Sequence, residues 1–170
     1  ELELNENSFV IEVASNDGYL LKNFVASGIP CLGIEPTDST AAAAEQLGVP
    51  VLREFFGDKL GKQLAIEGSQ ADLIVGNNVY AHVPDINDFT FGLKAALKPG
   101  GTITLEFPHL MELIKYNQFD TVYHEHFSYL SLLTVSKIFQ SSGLQIYDVE
   151  KLTTHGGSLR IFGCHADESK

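Results

Sequence analysis

Phe9-Val10-Ile11-Glu12-Val13-Ala14-Ser15-Asn16-Asp17-Gly18-Tyr19-Leu20-Leu21 is the stretch that decides the fold. Residues 9–14 form a short apolar run broken only by Glu12, and residues 18–27 place Leu20, Leu21, Phe24 and Val25 at helical spacing. The pattern predicts a strand followed directly by a helix. Small or polar residues lie between the two, so backbone amides can approach a ligand at the helix start. Of the glycines that a dinucleotide-binding loop requires only Gly18 is present, and without G-x-G-x-x-G nicotinamide chemistry loses its main support.

The alternation continues outward from that unit. Strands are expected over residues 30–35, 49–52, 72–75 and 102–107, and helices over 37–44, capped by Asp38 or Ser39, 58–66 and 86–97. Lys98-Pro99-Gly100-Gly101 stops the last of these helices. Five strands in series with helices between them predict a parallel sheet covered by helices on both faces. The ending differs, because a helix over 132–142 leads to two successive strands, 144–149 and 158–162, joined by a short loop with Gly156-Gly157. These two should form an antiparallel hairpin, giving an α/β fold with a mostly parallel seven-stranded sheet.

Ligands of open α/β sheets sit beyond the carboxyl ends of the strands, which directs attention to the loops that follow each strand. The first loop offers Glu12, Ala14, Asn16, Asp17 and Gly18. Glu35 ends the second strand, where a carboxylate can accept hydrogen bonds from both hydroxyls of a ribose, or can simply sit against a helix dipole. Phe55 and Phe56 follow the third strand and provide either an aromatic surface or core packing. After the fourth strand come Asn77, Asn78 and His82, polar groups that packing does not demand.

The densest chemistry lies in Tyr123-His124-Glu125-His126-Phe127-Ser128-Tyr129. Three readings stand here: His124 and His126 on one face of an extended segment as metal ligands, histidines satisfying loop carbonyls, or acid–base chemistry with Glu125 or Tyr123 orienting His126 or relaying its proton. No third and fourth ligand stand at a recognisable spacing, and HExxH is absent, so no metal is expected.

Together the loops over the first 107 residues resemble those of class I methyltransferases, whose Rossmann-like sheet ends in an antiparallel hairpin. Ala14-Ser15-Asn16-Asp17-Gly18-Tyr19-Leu20-Leu21, Tyr123-His124-Glu125-His126-Phe127-Ser128-Tyr129 and His155-Gly156-Gly157-Ser158-Leu159-Arg160 further resemble the deoxysugar C-methyltransferases. That resemblance implies S-adenosylmethionine as cofactor, S-adenosylhomocysteine as its product, and a keto-sugar nucleotide as substrate. It implies His126 as general base, with Tyr123, Glu125 and His82 lining the sugar site. Glu12, Ala14, Asn16, Asp17, Gly18, Glu35, Phe55, Asn77 and Asn78 are the expected cofactor contacts, and Arg160 is a structural or phosphate-facing cation. An O- or N-methyltransferase of another small molecule, or a non-catalytic cofactor-binding or scaffolding module, are the competing readings. Members of that family carry a zinc module before and an α/β domain after this region, so residues 1–170 are read as a single cofactor-binding domain cut from a longer chain.

Bulk properties agree with that class. The 170 residues, 44% of them apolar, suffice for one core. Eleven basic against 22 acidic residues give a net charge of −11, which disfavours nucleic acid as a partner and leaves few cations for a diphosphate. No apolar window is long enough to span a bilayer and no leader pattern opens the chain, so a cytoplasmic protein without membrane contact is expected. Cys31 and Cys164 fall in separate apolar segments and read as buried thiols.

Overall fold

A computed structural model describes residues 2–169. Strands β1 (Val10–Val13), β2 (Cys31–Ile34), β3 (Val51–Leu52), β4 (Ala71–Asn77) and β5 (Leu97–Pro108) pair in parallel, and β7 (Ser158–His165) pairs antiparallel with both β5 and β6 (Leu144–Leu152). The order β3-β2-β1-β4-β5-β7-β6 makes seven strands with the expected hairpin at one edge. Strand order reverses between β1 and β4, and such a reversal opens a crevice at the carboxyl ends of the two strands.

All four β1 residues are buried, because helices cover both of its faces. Val10 packs with Leu21 of α1 (Leu21–Ala26), Ala44 of α2 (Asp38–Gln46) and Val49. Ile11 faces the other way, into a cluster with Leu60 of α3 (Asp58–Ile66), Phe89 of α4 (Ile86–Ala96), Phe107 and Phe139 of α6 (Leu132–Ser141). Doubly covered parallel strands of this kind read as unbroken apolar runs, which is why residues 9–14 were legible. Helices α3 and α4 touch backbone to backbone at Gly61 and Gly92, where a Cβ on either glycine has no room.

The structure corrects several expectations. Helix α1 begins at Leu21 rather than at residue 18, because Gly18 adopts φ 76°, outside the right-handed helical region. Thr37, not Asp38 or Ser39, precedes α2, and it makes no side-chain cap bond; Asp38 lies in the first turn. Strand β5 starts at Leu97, five residues before the expected start, with a register shift against β4 over the Pro-Gly-Gly segment. A further helix, α5 (Leu110–Tyr116), was not foreseen; none of its residues is buried. Both cysteines are buried free thiols. Among the described residues no helix is long and apolar enough to cross a membrane.

Candidate active site

The loop after β1 is shaped by three left-handed residues, Ala14 (φ 57°), Asn16 (φ 53°) and Gly18 (φ 76°). For a non-glycine residue such a φ is uncommon and costs energy, which the surroundings here supply. The Ala14 and Ser15 amides both donate to the Ile34 carbonyl, at 2.8 and 3.2 Å. Buried Glu35 completes the clamp: Oε2 accepts from the Asn16 amide at 3.1 Å and Oε1 from the Thr37 amide at 2.9 Å. Each carboxylate oxygen keeps an acceptor site for a further donor. The two readings of Glu35 are therefore compatible, since the group holds the start of α2 and still offers two acceptors.

Beside this clamp lies a mostly apolar cavity of about 170 Å³, lined among others by Val13, Ala14, Ile34, Phe55, Val79 and His82. The two phenylalanines divide the roles expected of them. Phe55 stands at the rim, 84% exposed, while Phe56 packs edge-on against Phe89 at 5.2 Å. Asn77 is exposed at the end of β4; Asn78, at φ 54°, donates its amide to the Glu106 carbonyl at 2.8 Å. The buried Oδ1 of Asn78 and Oε2 of Glu12 have no partner among the described residues. Burial, reinforced by Asp17, pushes the Glu12 carboxyl up to about 8. Asp17 itself is exposed and accepts from the Tyr19 amide at 3.2 Å.

The second half of the site is a histidine cluster. His126 is 9% exposed, with Nδ1 3.0 Å from the Thr121 carbonyl and Nε2 3.1 Å from the Tyr123 hydroxyl. A carbonyl only accepts, so Nδ1 carries the proton; in the neutral ring Nε2 then holds the lone pair and accepts from the phenol. The His82 ring lies 4.7 Å from that of His126, and Tyr129 meets His126 edge-on at 5.8 Å. His82 Nδ1 donates to the Glu125 carbonyl at 2.9 Å. Burial lowers the pKa of His82, and the neighbouring His126 adds to that effect, so a neutral ring is favoured. The Phe127 and Ser128 amides both donate to the Ala81 carbonyl, pinning this loop onto the turn Tyr80–His82. His82 also lines the apolar cavity and so joins the two halves.

Of the predicted residues, Tyr123, His126 and His82 come together, while the Glu125 side chain is exposed and only its backbone carbonyl reaches the cluster. His124 is exposed and His126 buried, so the two do not share a face, and no cluster able to hold a metal occurs among the described residues. Arg160 pairs with Glu106 at 2.9 Å and Glu150 at 3.4 Å across the β5–β7–β6 edge, the structural one of its two expected roles. Sequence reasoning missed Thr121, which fixes the His126 tautomer through a backbone atom, and Ser15. It also passed over Glu106, although a carboxylate inside the apolar run of β5 was a visible signal; Thr154 and Arg160 satisfy it.

A crevice at the β1/β4 reversal, a carboxylate at the end of β2 and an antiparallel β7 between β5 and β6 define the class I methyltransferase fold. The chain belongs to the methyltransferase domain family, whose model matches residues 1–149, and S-adenosylmethionine is the cofactor. It is 38% identical over 163 residues, 96% of its length, to the C-methyltransferase NovU of Streptomyces niveus, and covers 39% of that protein. The chain thus spans about two-fifths of the length of the curated relatives it matches. Among solved structures, an S-adenosylmethionine-dependent methyltransferase of Mesorhizobium loti matches with a TM-score of 0.73 at 14% identity, over 96% of this chain and 93% of that one. The magnesium protoporphyrin IX methyltransferase of Synechocystis PCC 6803 with bound S-adenosylhomocysteine matches with a TM-score of 0.69 at 13% identity, over 92% and 73%.

Proposed function

We propose that this domain methylates a carbon next to the ketone of a nucleotide-linked keto-deoxysugar. The carrying observation is the buried His126, whose Nδ1–H is committed to Thr121 and whose Nε2 is held ready to accept a proton. Carbon becomes a nucleophile only after deprotonation, whereas a hydroxyl or amine acceptor has less need of a dedicated base. The 38% identity to a C-methyltransferase supports the same reading.

The orphaned Glu12 and Asn78 oxygens, the two free acceptor sites on Glu35 and the apolar cavity fit the polar and flat parts of the cofactor. Glu35 would hold the ribose, Phe55 and the cavity the adenine, and the loop of Ala14, Asn16, Asp17 and Gly18 the amino-acid end. When bound, S-adenosylmethionine supplies the electrophilic methyl group. Tyr123 is 42% exposed while its hydroxyl meets the buried Nε2 at 3.1 Å, which links that nitrogen to accessible surface. The proton therefore passes from the acceptor carbon to the phenol oxygen as the phenol proton passes to Nε2. The resulting imidazolium remains bonded to the Thr121 carbonyl, and the neutral His82 ring, its Nδ1–H committed to the Glu125 carbonyl, lines the acceptor side.

A larger cavity, about 370 Å³, opens at the same edge of the sheet between α5 and the β6–β7 turn, lined by His109, Glu112, Tyr116, Lys151, Thr153 and Gly157 among others. It would take the part of the acceptor remote from the reacting carbon, with Lys151 as its cation.

The test is His126→Asn and Tyr123→Phe, assayed on keto-sugar nucleotides with S-adenosylhomocysteine affinity measured in parallel. Loss of a positioned base costs roughly 10²–10⁴ in rate. A loss in that range for His126→Asn with affinity retained supports the reading; unchanged turnover removes His126 as the base.

A further inference from the structure

We propose that Gln118 is a positioning residue: its side-chain amide fastens the turn that orients His126 to the wall of the larger cavity, so that the base is set relative to the acceptor and not to the sheet alone. The inference rests on the reading of His126 as the base and adds what holds that base in place.

Helix α5 buries none of its residues, so packing does not fix the chain that follows it. Asn117 ends the helix in the left-handed conformation (φ 57°), and the Gln118 amide closes that end by donating to the Leu113 carbonyl at 3.0 Å. Two bonds then converge on the Gln118 carbonyl, from the Thr121 hydroxyl at 2.8 Å and the Thr121 amide at 3.2 Å. The Thr121 carbonyl in turn accepts the His126 Nδ1–H at 3.0 Å. Gln118 and His126 are thus joined through a single residue.

The other end of this connection lies in the cavity wall. Gln118 Nε2 donates to the Gly156 carbonyl at 2.7 Å, and Gly156 and Gly157 line the cavity of about 370 Å³. Among the described residues, every other hydrogen bond made by residues 117–124 stays within residues 113–126. The contact is close: a Cβ on Gly156 would stand 2.8 Å from Gln118 Nε2, and Gly156 has φ 76°, so both the space and the backbone call for glycine. The His109 amide meets the Gly157 carbonyl at 3.0 Å, which ties the start of α5 to the same turn. Of the two ties, that of Gln118 also reaches His126.

An acceptor seated against Gly156 and a base hung from Gly156 share one frame. Displacing a reacting group by about 1 Å can cost on the order of 100-fold in rate. Once the Thr121 carbonyl moves away, the neutral His126 ring is no longer held to the Nδ1–H tautomer.

The test is Gln118→Met, which keeps the length of the side chain and removes its donor without adding charge. The tautomer is read from the imidazole nitrogen NMR shifts at about pH 9, where neutral rings prevail, with His126→Asn assigning the signals. The unaltered protein should show His126 as a single Nδ1–H tautomer, Gln118→Met a mixture of the two, and Gln118→Lys, which returns a donor, the single form again. On keto-sugar nucleotides, Gln118→Met should lose roughly 10- to 100-fold in kcat with S-adenosylhomocysteine affinity unchanged. A single Nδ1–H tautomer retained in Gln118→Met overturns the proposal, whatever the turnover. Unchanged turnover in His126→Asn sinks the base reading instead, and the tautomer result in Gln118→Met separates that failure from failure of the tie.

Discussion

The two halves of the site are built in opposite ways. On the proposed cofactor side the candidate groups ride on strand ends whose neighbouring residues are core: Glu12 between buried Ile11 and Val13, Glu35 directly after buried Ile34. On the histidine side they ride on residues 109–131, where α5 buries nothing and Met111, Ile114, Phe119, Val122, Tyr123 and Phe127 are all exposed. The sheet fixes the first half in place. The second is held by a few bonds, chiefly those that Phe127 and Ser128 donate to the Ala81 carbonyl and that His126 donates to the Thr121 carbonyl. Binding of a common cofactor needs a rigid frame, whereas the acceptor side can vary without disturbing the sheet.

The sharpest way to break this comparison is a pair of truncations. Phe107→Ala removes a fully buried ring and should cost about 3–5 kcal/mol in chemical unfolding. Phe119→Ala removes a ring that is 80% exposed and should change stability by no more than about 0.5 kcal/mol. Comparable losses at both positions would mean that residues 109–131 belong to the cooperative core after all.

A smaller effect is expected at the clamp. Glu35→Gln replaces one acceptor oxygen by a donor amide, which cannot accept from the Asn16 or Thr37 amide it then faces. On the proposed reading a ribose hydroxyl also loses its charge-assisted bond to that atom, worth about 1.5–3 kcal/mol, so S-adenosylhomocysteine affinity should fall roughly 10- to 150-fold by calorimetry. Affinity unchanged within twofold would place the ribose elsewhere.

The same contrast explains what could be read in advance. Strands β1, β2, β4 and β5 are apolar runs bounded by turn residues, and covering both faces with helices enforces that pattern in the sequence. Helix α5 places Leu110, Leu113 and Ile114 at helical spacing, but it is only seven residues long and buries none of them, so the signal was too short to mark it. Tyr123, His126 and His82 were legible as candidates, because polar groups that packing does not demand need a reason. Their arrangement was not, since the decisive partner of His126 is the Thr121 carbonyl and that of His82 is the Glu125 carbonyl. Backbone atoms are common to every residue and leave no mark in a sequence. For the same reason Glu125 read as a relay through its carboxylate, whereas its bond to His82 is made by the main chain.

Tyr80 lies between the halves: its ring is fully buried among Phe89, Phe107 and Phe139, and the turn it opens carries His82. Thr90 donates to the Ile86 carbonyl at 2.6 Å, so at the 2.7 Å contact the Tyr80 hydroxyl is the donor. Tyr80→Phe deletes that donor and leaves Thr90 its primary bond, for an expected loss of about 1 kcal/mol by thermal unfolding. A loss above about 3 kcal/mol would show that this bond, rather than ring packing, carries the junction.

The smallest expected effect has the opposite sign and tests whether the cofactor half is strained by design. Ala14 sits at φ 57° with its amide bonded to Ile34, and it lines the apolar cavity. The left-handed conformation costs an alanine roughly 1–2 kcal/mol relative to glycine. A glycine there gives back about 0.5–1 kcal/mol through the greater freedom of the unfolded chain. Ala14→Gly should therefore raise stability, by up to about 1.5 kcal/mol, and the gain is measurable as a shift in the unfolding midpoint. If the variant is instead destabilised, the Ala14 methyl packs well enough to outweigh its backbone strain. The loop would then be held by packing as well as by the Glu35 clamp, and the contrast with the bond-held histidine half would be deeper still.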